Sequence, residues 1–497
     1  MFHDNFRTPS EKRLAALAQA AFLKLWSYPN LYTNESKGPK GDGKEFCDLT
    51  VIFGNRILLF SDKHVNFSSD KPIEIAWPRW YRRAIVNSAK QLMGAESWIR
   101  RFPDRLFLDR ACSTPVPLDL SATAPFHVHK IVIANGASRA VSENFKKEFS
   151  SLPVYGGDQS RANKYPPFAT LQPFKDRTYI HIFDEITIGI VLRELDTIAD
   201  FIDYLDARER LATVSGGTLH AAGEEDLLAI FMRAREFPTL PNIDIVYFRY
   251  GVWGDFIRSL EYKIRTEANR ISYKWDELIE YFTQFILSDR NISPFEDAFP
   301  LGSIAYQEQA IRRMAAEGRM RRRQLGQWLI EGASIARELP QFARSLAFLG
   351  DENKPKRGYT LYFQKQTRGQ TYNDYRRNRV AMLHGHMMQC KIMYPDVTSI
   401  TGICSEGSDD PKNPGTQDLM IIDFNSWDPA DEAAARRELK LLQISSDPSA
   451  LVRHYSSDSE FQMRNSARKI VDPPNKKKLG WLVMFGQKIL RWRQMVR

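Results

Sequence analysis

The stretch GKEFCDLTVIFGNRILLFSDKH, residues 43–64, decides the fold of the N-terminal part of this chain. It contains two apolar runs rich in β-forming residues, LTVIF and ILLF, with only Gly54, Asn55 and Arg56 between them. Two such runs joined by a short turn that contains glycine are typical of a β-hairpin. Helical patterns precede and follow the hairpin, so the sequence predicts a mixed α/β domain around it.

A two-residue turn at Gly54 and Asn55 fixes the register of this hairpin. Asp48 then lies directly opposite Ser61. Lys63 lies two residues further along and on the same face, because side chains alternate along a strand. A carboxylate can bind a divalent metal ion, and a lysine can position water or offset charge that develops at a phosphate. The open end of the hairpin is therefore a candidate hydrolytic centre.

The same residues resemble the core of the PD-(D/E)XK nuclease superfamily, in which a helix with a glutamate precedes a hairpin bearing Asp and then (D/E)xK. Asp48 matches the aspartate, Lys63 matches the lysine, and Glu11 on the preceding helix is the best match for the glutamate. The resemblance covers about residues 8–110. It implies a restriction-endonuclease-like α/β domain that cleaves phosphodiester bonds with Mg²⁺ or Mn²⁺. A longer stretch also resembles a group of bacterial proteins, which indicates no function.

The sequence departs from the superfamily pattern at the first position of (D/E)xK. Ser61 stands there, and Asp62 occupies the middle position, whose side chain points to the opposite face unless a bulge turns it. Another carboxylate then has to complete the metal shell, and Lys63 is expected to position the attacking water. The candidate catalytic residues are Asp48, Lys63, Glu11, Glu45 and Asp62, and the candidate metal ligands are Asp48, Asp62 and Glu11.

Arginines mark two predicted helices as candidate nucleic-acid-binding surfaces. The helix that follows the hairpin, WPRWYRRAIVNSAKQL (77–92), looks like the superfamily's next helix, which often faces DNA. A second basic cluster lies within YQEQAIRRMAAEGRMRRRQLGQWLI (306–330), for which a solvated helix face is the alternative interpretation. The candidate contacts are Arg79, Arg82, Arg83, Arg321, Arg322 and Arg323.

The composition is that of a globular protein, with 43% hydrophobic and 26% charged residues. There is no run of 18 apolar residues, and the N-terminus has no signal-peptide pattern. We therefore expect a cytoplasmic protein without integral membrane association. The 4 cysteines lie far apart without a CxxC pair, which favours reduced thiols over disulfides or a zinc knuckle.

Almost all of the net charge of +10 lies in the C-terminal tail. Residues 464–497 contain ten Lys and Arg residues against one acid, Asp472. The tail also has apolar residues at helical spacing, which predicts a basic amphipathic helix. Docking on the protein itself, nucleic-acid binding and binding to an anionic membrane surface are the three alternatives.

Changes of pattern along the chain predict four segments. These are a PD-(D/E)XK-like domain over 1–215, a helical domain over 216–350, a small α/β domain over 351–460 and the basic tail over 461–497.

The favoured function is a Mg²⁺-dependent endonuclease that acts on nucleic acid, DNA more readily than RNA, in bacterial anti-phage defence. The alternative is a catalytically degenerate nuclease fold that serves as a nucleic-acid-binding or sensor component. A protein partner or a homo-oligomer is compatible with either function.

Overall fold

The computed structural model describes residues 8–35, 41–121, 124–146, 151–158, 167–174, 178–214, 219–238, 246–287, 304–348, 356–406 and 416–445. The chain is mixed α/β and forms two compact units, one that extends to Arg265 and one that begins at Thr266. Among the helices within these ranges, none has both the length and the apolar character that a membrane span requires.

The first unit contains many short strands and nine helices within the described ranges. Its strands are β1 (Ser27–Pro29), β2 (Tyr32–Thr33), β3 (Lys44–Glu45), β4 (Leu49–Phe53), β5 (Arg56–His64), β6 (Leu106–Phe107), β7 (His127–Asn135), β8 (Val154–Asp158), β9 (Thr170–Gln172), β10 (Ile180–Phe183), β11 (Leu219–Ala221) and β12 (Val246–Tyr247). Its helices are α1 (Pro9–Phe22), α2 (Ile73–Tyr81), α3 (Asn87–Arg101), α4 (Ser138–Asn144), α5 (Thr187–Glu194), α6 (Ile198–Val214), α7 (Glu224–Ala234), α8 (Val252–Arg258) and α9 (Leu260–Asn269), the last of which crosses the boundary. A π-helical turn, Arg82–Val86, joins α2 to α3.

A five-stranded sheet with the order β1-β4-β5-β7-β10 forms the centre of the first unit. Neighbouring strands are antiparallel from β1 to β5, and β5, β7 and β10 are parallel. Parallel strands need a crossover connection, which α2 and α3 provide between β5 and β7. Two smaller sheets accompany it, with the orders β3-β2-β6 and β12-β11-β8-β9.

The two faces of the central sheet are covered by different helices. Ile57 and Leu59 of β5 belong to a buried apolar cluster that includes Ile85 and Leu92 of the α2–α3 segment. Phe60, which points the other way, lies 6.2 Å from the ring of Phe22 in α1. The face on which a β5 side chain lies therefore decides which helices it meets.

The second unit combines helices with one four-stranded sheet. Its helices are α10 (Tyr273–Leu287), α11 (Ile304–Ala315), α12 (Arg319–Glu338), α13 (Tyr372–Met393) and α14 (Pro429–Leu441), and its strands are β13 (Gln341–Phe348), β14 (Arg357–Gln364), β15 (Ser399–Ser405) and β16 (Gln417–Asp423). The strand order is β13-β14-β15-β16, in which only the β14–β15 pair is parallel.

This division corrects the predicted domain boundaries. The predicted helical domain, 216–350, is divided, because its first part belongs to the unit that ends at Arg265. Its last part contains β13, which pairs with β14 over the full length of both strands. The predicted C-terminal α/β domain therefore shares its sheet with β13 and its core with residues of β13 and α11, which the sequence pattern assigned to the helical domain. The predicted tail, 461–497, lies outside the described residues.

Candidate active site

The hairpin has the register that the sequence predicts. Phe53 pairs with Arg56, and Leu49 pairs with Phe60. Gly54 has φ +60°, a positive value that glycine adopts readily in a tight hairpin turn. The same register continues past Leu49, so it sets the residue before β4 opposite Ser61. The predicted register is confirmed, and Asp48, Ser61 and Lys63 lie on the face of the sheet that α2 and α3 cover.

Asp48 is held in place by a backbone amide and is close to a lysine. Its side chain is 7% exposed, and its Oδ2 atom accepts a hydrogen bond of 2.6 Å from the backbone N–H of Asp62. Burial raises the pKa of Asp48 to about 6, and the positive charge of Lys63 opposes that rise. The neighbouring Glu45 carboxylate adds to it. The charge of Asp62 raises the pKa of Asp48 as well, so three carboxyl groups and one ammonium group interact electrostatically at the open end of the hairpin.

Glu45 connects this group of charges to a cleft of about 540 Å³. The cleft is lined on one side by β2 and β3 and on the other by α3, which contributes Lys90, Gln91 and Arg101. An acidic group at one wall and cations at the other can accommodate a phosphate backbone whose charge is shared between a metal ion and basic side chains. Asp48 and Lys63 do not line this cleft, so Glu45 is the residue of the proposed centre that a substrate in the cleft would contact.

Asp62 and Glu11 lie on the other side of the sheet. The pairing of β5 with β7 runs from Arg56 to His64 without a shift of register, so no bulge turns Asp62 toward Asp48. Asp62 instead accepts a hydrogen bond from Asn135 and interacts with the carboxylate of Glu11. It lines a separate cleft of about 550 Å³ beside α1.

This arrangement corrects the predicted metal-ligand set. Across the described ranges, Asp48, Asp62 and Glu11 do not form a group whose ligand atoms lie within 4.8 Å of one another. The reason is the strict alternation of side chains along an unbroken strand, which separates residues 61 and 63 from residue 62. Glu45 and Asp62 both act electrostatically on the Asp48 carboxylate, and of the two it is Glu45 that lines the cleft beside α3.

The residues on that face suit a Mg²⁺ or Mn²⁺ ion. Ser61 is fully buried, and its Oγ atom has no hydrogen-bond partner in the part of the chain that the structure describes. Mg²⁺ takes oxygen ligands, keeps several waters and is often bound by only one or two carboxylates. Asp48 and Glu45 would supply two, and the unpaired Ser61 hydroxyl, which the register sets opposite Asp48, would add a further oxygen. The donor set is therefore that of a hard cation.

Arg79, Arg82 and Arg83 are exposed, as an interface with nucleic acid requires. They lie at the end of α2 and in the π-helical turn, and Lys90 follows on α3 as another exposed cation. Lys90 also lines the cleft that contains Glu45. Arg79, Arg82, Arg83 and Lys90 together form a basic stripe that leads to this cleft.

Of the predicted nucleic-acid contacts Arg321, Arg322 and Arg323, the structure buries Arg322 and gives all three hydrogen-bond partners within the second unit. Arg322 is 1% exposed, and its Nη1 atom donates a hydrogen bond of 2.6 Å to Asp276. Arg321 donates a hydrogen bond to Glu317, and Arg323 donates one to Asn269. Helix α12 packs against α10 and against the turn that precedes α10. These guanidinium groups therefore make their hydrogen bonds inside the second unit.

Comparisons with known proteins do not extend the resemblance. No family model matches. Searches of curated proteins and of solved structures also return no match. Function is therefore inferred from the geometry of the chain itself.

One group of ligand-type side chains in the first unit contains His127 and His129, for which the sequence alone favours a structural role over zinc binding. His127, His129, Asp206 and Glu209 have ligand atoms that all lie within 4.8 Å of one another. The His-x-His alternation on a strand is visible in the sequence. The two acids lie on α6, and their approach to β7 depends on tertiary packing.

Proposed function

We propose that the first unit is a metal-dependent nuclease that hydrolyses phosphodiester bonds in nucleic acid, with DNA as the favoured substrate. The observation that supports the proposal best is the hairpin register, which sets Asp48 and Lys63 on one face with Glu45 close by. The order of elements, a helix, then a hairpin, then a long helix, agrees with the PD-(D/E)XK resemblance. An endonuclease with a restriction-endonuclease-like domain is the form of enzyme that we favour.

Each residue of the site has a distinct role in this proposal. Asp48 and Glu45 would hold Mg²⁺ or Mn²⁺, which when bound polarises a phosphoryl oxygen and acidifies a water molecule. The amide of Asp62 orients the Asp48 carboxylate by its hydrogen bond to Oδ2. Lys63 places a positive charge beside the position where negative charge develops on the phosphate. The burial of this group reduces screening by solvent, which strengthens these interactions.

The basic stripe gives the proposed site a means to bind a polyanion. Arginine and lysine contacts to phosphates supply affinity without reading the sequence of bases. Because the stripe ends at the cleft that Glu45 lines, a strand bound along it would approach the carboxylates. This placement favours a nuclease over a small-molecule phosphatase.

One observation favours a second candidate function. Ser61 occupies the position where the superfamily pattern has a carboxylate, so the site has one acid fewer than that pattern. If two carboxylates do not retain the metal ion, the chain is a nucleic-acid-binding or sensor protein that kept the fold and lost the chemistry. Both candidate functions include binding of nucleic acid, but only the nuclease cleaves it.

A cleavage assay with matched variants tests the proposal. Purified full-length protein is incubated with plasmid DNA, linear DNA and RNA, each with Mg²⁺, Mn²⁺ or EDTA. We expect metal-dependent cuts that Asp48→Asn and Lys63→Met abolish. The controls Asp70→Asn and Lys263→Ala, which change exposed residues of the same types, should cleave normally. Nucleic-acid binding without cleavage in any metal would favour the second candidate, and the absence of both would reject the two functions together.

A further inference from the structure

Ligand-type side chains converge at the end of the central sheet opposite to the hairpin site. His127 and His129 belong to β7 and, being two positions apart, point to the same face. Asp206 and Glu209 lie three residues apart on α6 and therefore on one side of that helix. The four side chains thus come from one strand and from the helix that packs against it.

The spacing of their ligand atoms is close to that of a tetrahedral metal site. Asp206 Oδ1 lies 3.6 Å from His127 Nε2 and 3.5 Å from His129 Nε2. Glu209 Oε2 lies 3.9 Å from His127 Nε2. Ligand atoms bound tetrahedrally to Zn²⁺ at about 2.0–2.1 Å are about 3.4 Å apart, so small side-chain movements would complete the shell.

Hydrogen bonds within the group and to His181 fix the orientation of these side chains. The Nδ1 atom of His129 lies 2.9 Å from Glu209 Oε1, and His181 Nε2 lies 3.0 Å from the same oxygen. With its proton on Nδ1, the His129 ring directs the Nε2 lone pair toward Asp206 Oδ1 and Arg56 Nη1, each 3.5 Å away, so a bound ion has to displace the arginine contact. In protein zinc sites a ligating histidine usually donates its other N–H to a carboxylate outside the shell, whereas here that carboxylate is Glu209, which offers its second oxygen to the ion.

The charge of the group favours a bound cation. Arg56 donates hydrogen bonds of 3.0 Å to both oxygens of Asp206 and so balances one of the two negative charges. With neutral imidazoles, the group of Arg56, His127, His129, Asp206 and Glu209 keeps one negative charge. His127 is 45% exposed, which leaves the group accessible to an ion from solution.

We infer that His127, His129, Asp206 and Glu209 bind one Zn²⁺ ion, or a similar transition-metal ion such as Co²⁺, in a site that joins β7 to α6. Two imidazoles and two carboxylates are a donor set for such ions, whereas the hairpin offers only oxygen. The two sites are also well separated, because Arg56 and Lys63 lie seven residues apart on β5, which spans about 23 Å. The zinc site is therefore independent of the proposed nuclease centre.

Metal titration of the full chain tests this inference. Zn²⁺ binding is measured by competition with a chromophoric chelator, Co²⁺ binding by the visible bands of its tetrahedral complexes, and stability by thermal unfolding with and without Zn²⁺. We expect one ion per chain and a higher melting temperature when Zn²⁺ is bound, since a ligand that binds the folded state stabilises it. His127→Ala and Asp206→Asn should each weaken Zn²⁺ binding at least about tenfold.

Two control variants separate this site from the rest of the molecule. His64→Ala removes a histidine at the opposite end of β5, and Asp48→Asn removes a charge of the nuclease proposal. Both should bind Zn²⁺ as the parent chain does, even if the parent chain cleaves no nucleic acid. Failure of the parent chain to bind Zn²⁺ would overturn the inference, as would binding of equal affinity in the His127→Ala and Asp206→Asn variants.

Discussion

Burial of Asp48 opposes the charge that its proposed role requires. Burial raises the pKa of this group to about 6, so the folded chain holds a proton there that the unfolded chain has already released. The stability contributed by the protonated group is complete below about pH 4 and is lost as the pH rises through about 6. At neutral pH the ionised Asp48 carboxylate therefore lowers the free energy of unfolding. A cation bound at this site would offset that loss of stability.

The Asp48→Asn variant should lose activity and gain stability at alkaline pH. The amide keeps an oxygen that can accept the hydrogen bond from Asp62, and it removes the buried charge. We expect the free energy of unfolding at pH 8 to increase by about 2 kcal/mol, with little difference from the parent chain near pH 4. Urea unfolding at both pH values measures this, alongside the plasmid assay. A loss of stability that is equal at the two pH values would contradict the account of Asp48.

Ser61→Ala tests whether the unpaired hydroxyl faces the metal ion. An unsatisfied buried hydroxyl costs about 1–3 kcal/mol, so its removal should raise the free energy of unfolding without metal. The same change should weaken Mn²⁺ binding, measured by calorimetry, if the hydroxyl or its bound water contributes to the shell. Ser88→Ala is the matched control, because the buried Ser88 hydroxyl already donates to the carbonyl of Ala84 at 2.8 Å. Unchanged Mn²⁺ affinity in Ser61→Ala would remove Ser61 from the site.

Local patterns predicted the residues of the hairpin better than they predicted their partners. Asp48, Ser61 and Lys63 follow from a two-residue turn and the alternation of strand side chains, both of which are short-range rules. The proximity of Asp62 to Glu11 depends on which face α1 covers, and no pattern within either element specifies that. The cluster at His129 and the acids of α6 likewise depends on contacts between segments about eighty residues apart.

At the scale of elements, the α2–α3 segment is the best candidate for contact with nucleic acid. Changing Arg79, Arg82 and Arg83 together to glutamine should weaken DNA binding and flatten its dependence on salt. Each phosphate contact that is lost lowers the log-log slope by about 0.9 on duplex DNA. The measurement is binding by fluorescence anisotropy over a series of salt concentrations, with Lys263→Ala as the exposed control. A slope that the triple variant leaves unchanged would remove this surface from the interface.

The arginines of α12 should behave in the opposite way. Arg322→Met removes a buried guanidinium and leaves the Asp276 carboxylate with one partner fewer, although Arg319 still donates to it. Breaking a buried ion pair by removing one partner costs about 3–5 kcal/mol, so thermal unfolding should show a large loss of stability. The salt dependence of DNA binding, measured at a temperature where the variant is folded, should not change. A reduced slope with unchanged stability would restore the original prediction for this cluster.

Basic residues in a helical pattern do not by themselves indicate which way they face. The α2–α3 arginines lie on a segment whose other face carries Trp80, Ile85 and Leu92 into the core, so the cations are left exposed. In α12 the partners of the arginines are Asp276 and Glu317, which belong to a neighbouring helix and to the turn before α12. Sequence alone shows neither pairing, because each requires the packing of α12 against α10.

At the scale of the whole molecule, the boundary between the units follows packing and cannot be read from local pattern. The segment before residue 350 looks helical because α10, α11 and α12 dominate it. Its last residues form β13, whose partner β14 lies beyond a charged, turn-rich stretch that reads as a linker. Strand pairing across that stretch places helices and sheet in one unit. The mixed α/β class was therefore predictable from the sequence, whereas the boundaries were not.

The charge of the whole molecule depends on residues 464–497, which contribute +9 of the net +10. A chain without these residues should have weaker DNA binding and a flatter salt dependence if the tail contacts phosphates. If the tail instead packs through its apolar residues, the deletion should lower the melting temperature and leave the salt slope unchanged. Anisotropy titrations and thermal unfolding of the truncated and full chains separate these outcomes. Unchanged salt dependence together with unchanged stability would contradict both and direct attention to anionic membrane surfaces, for which vesicle binding is the next measurement.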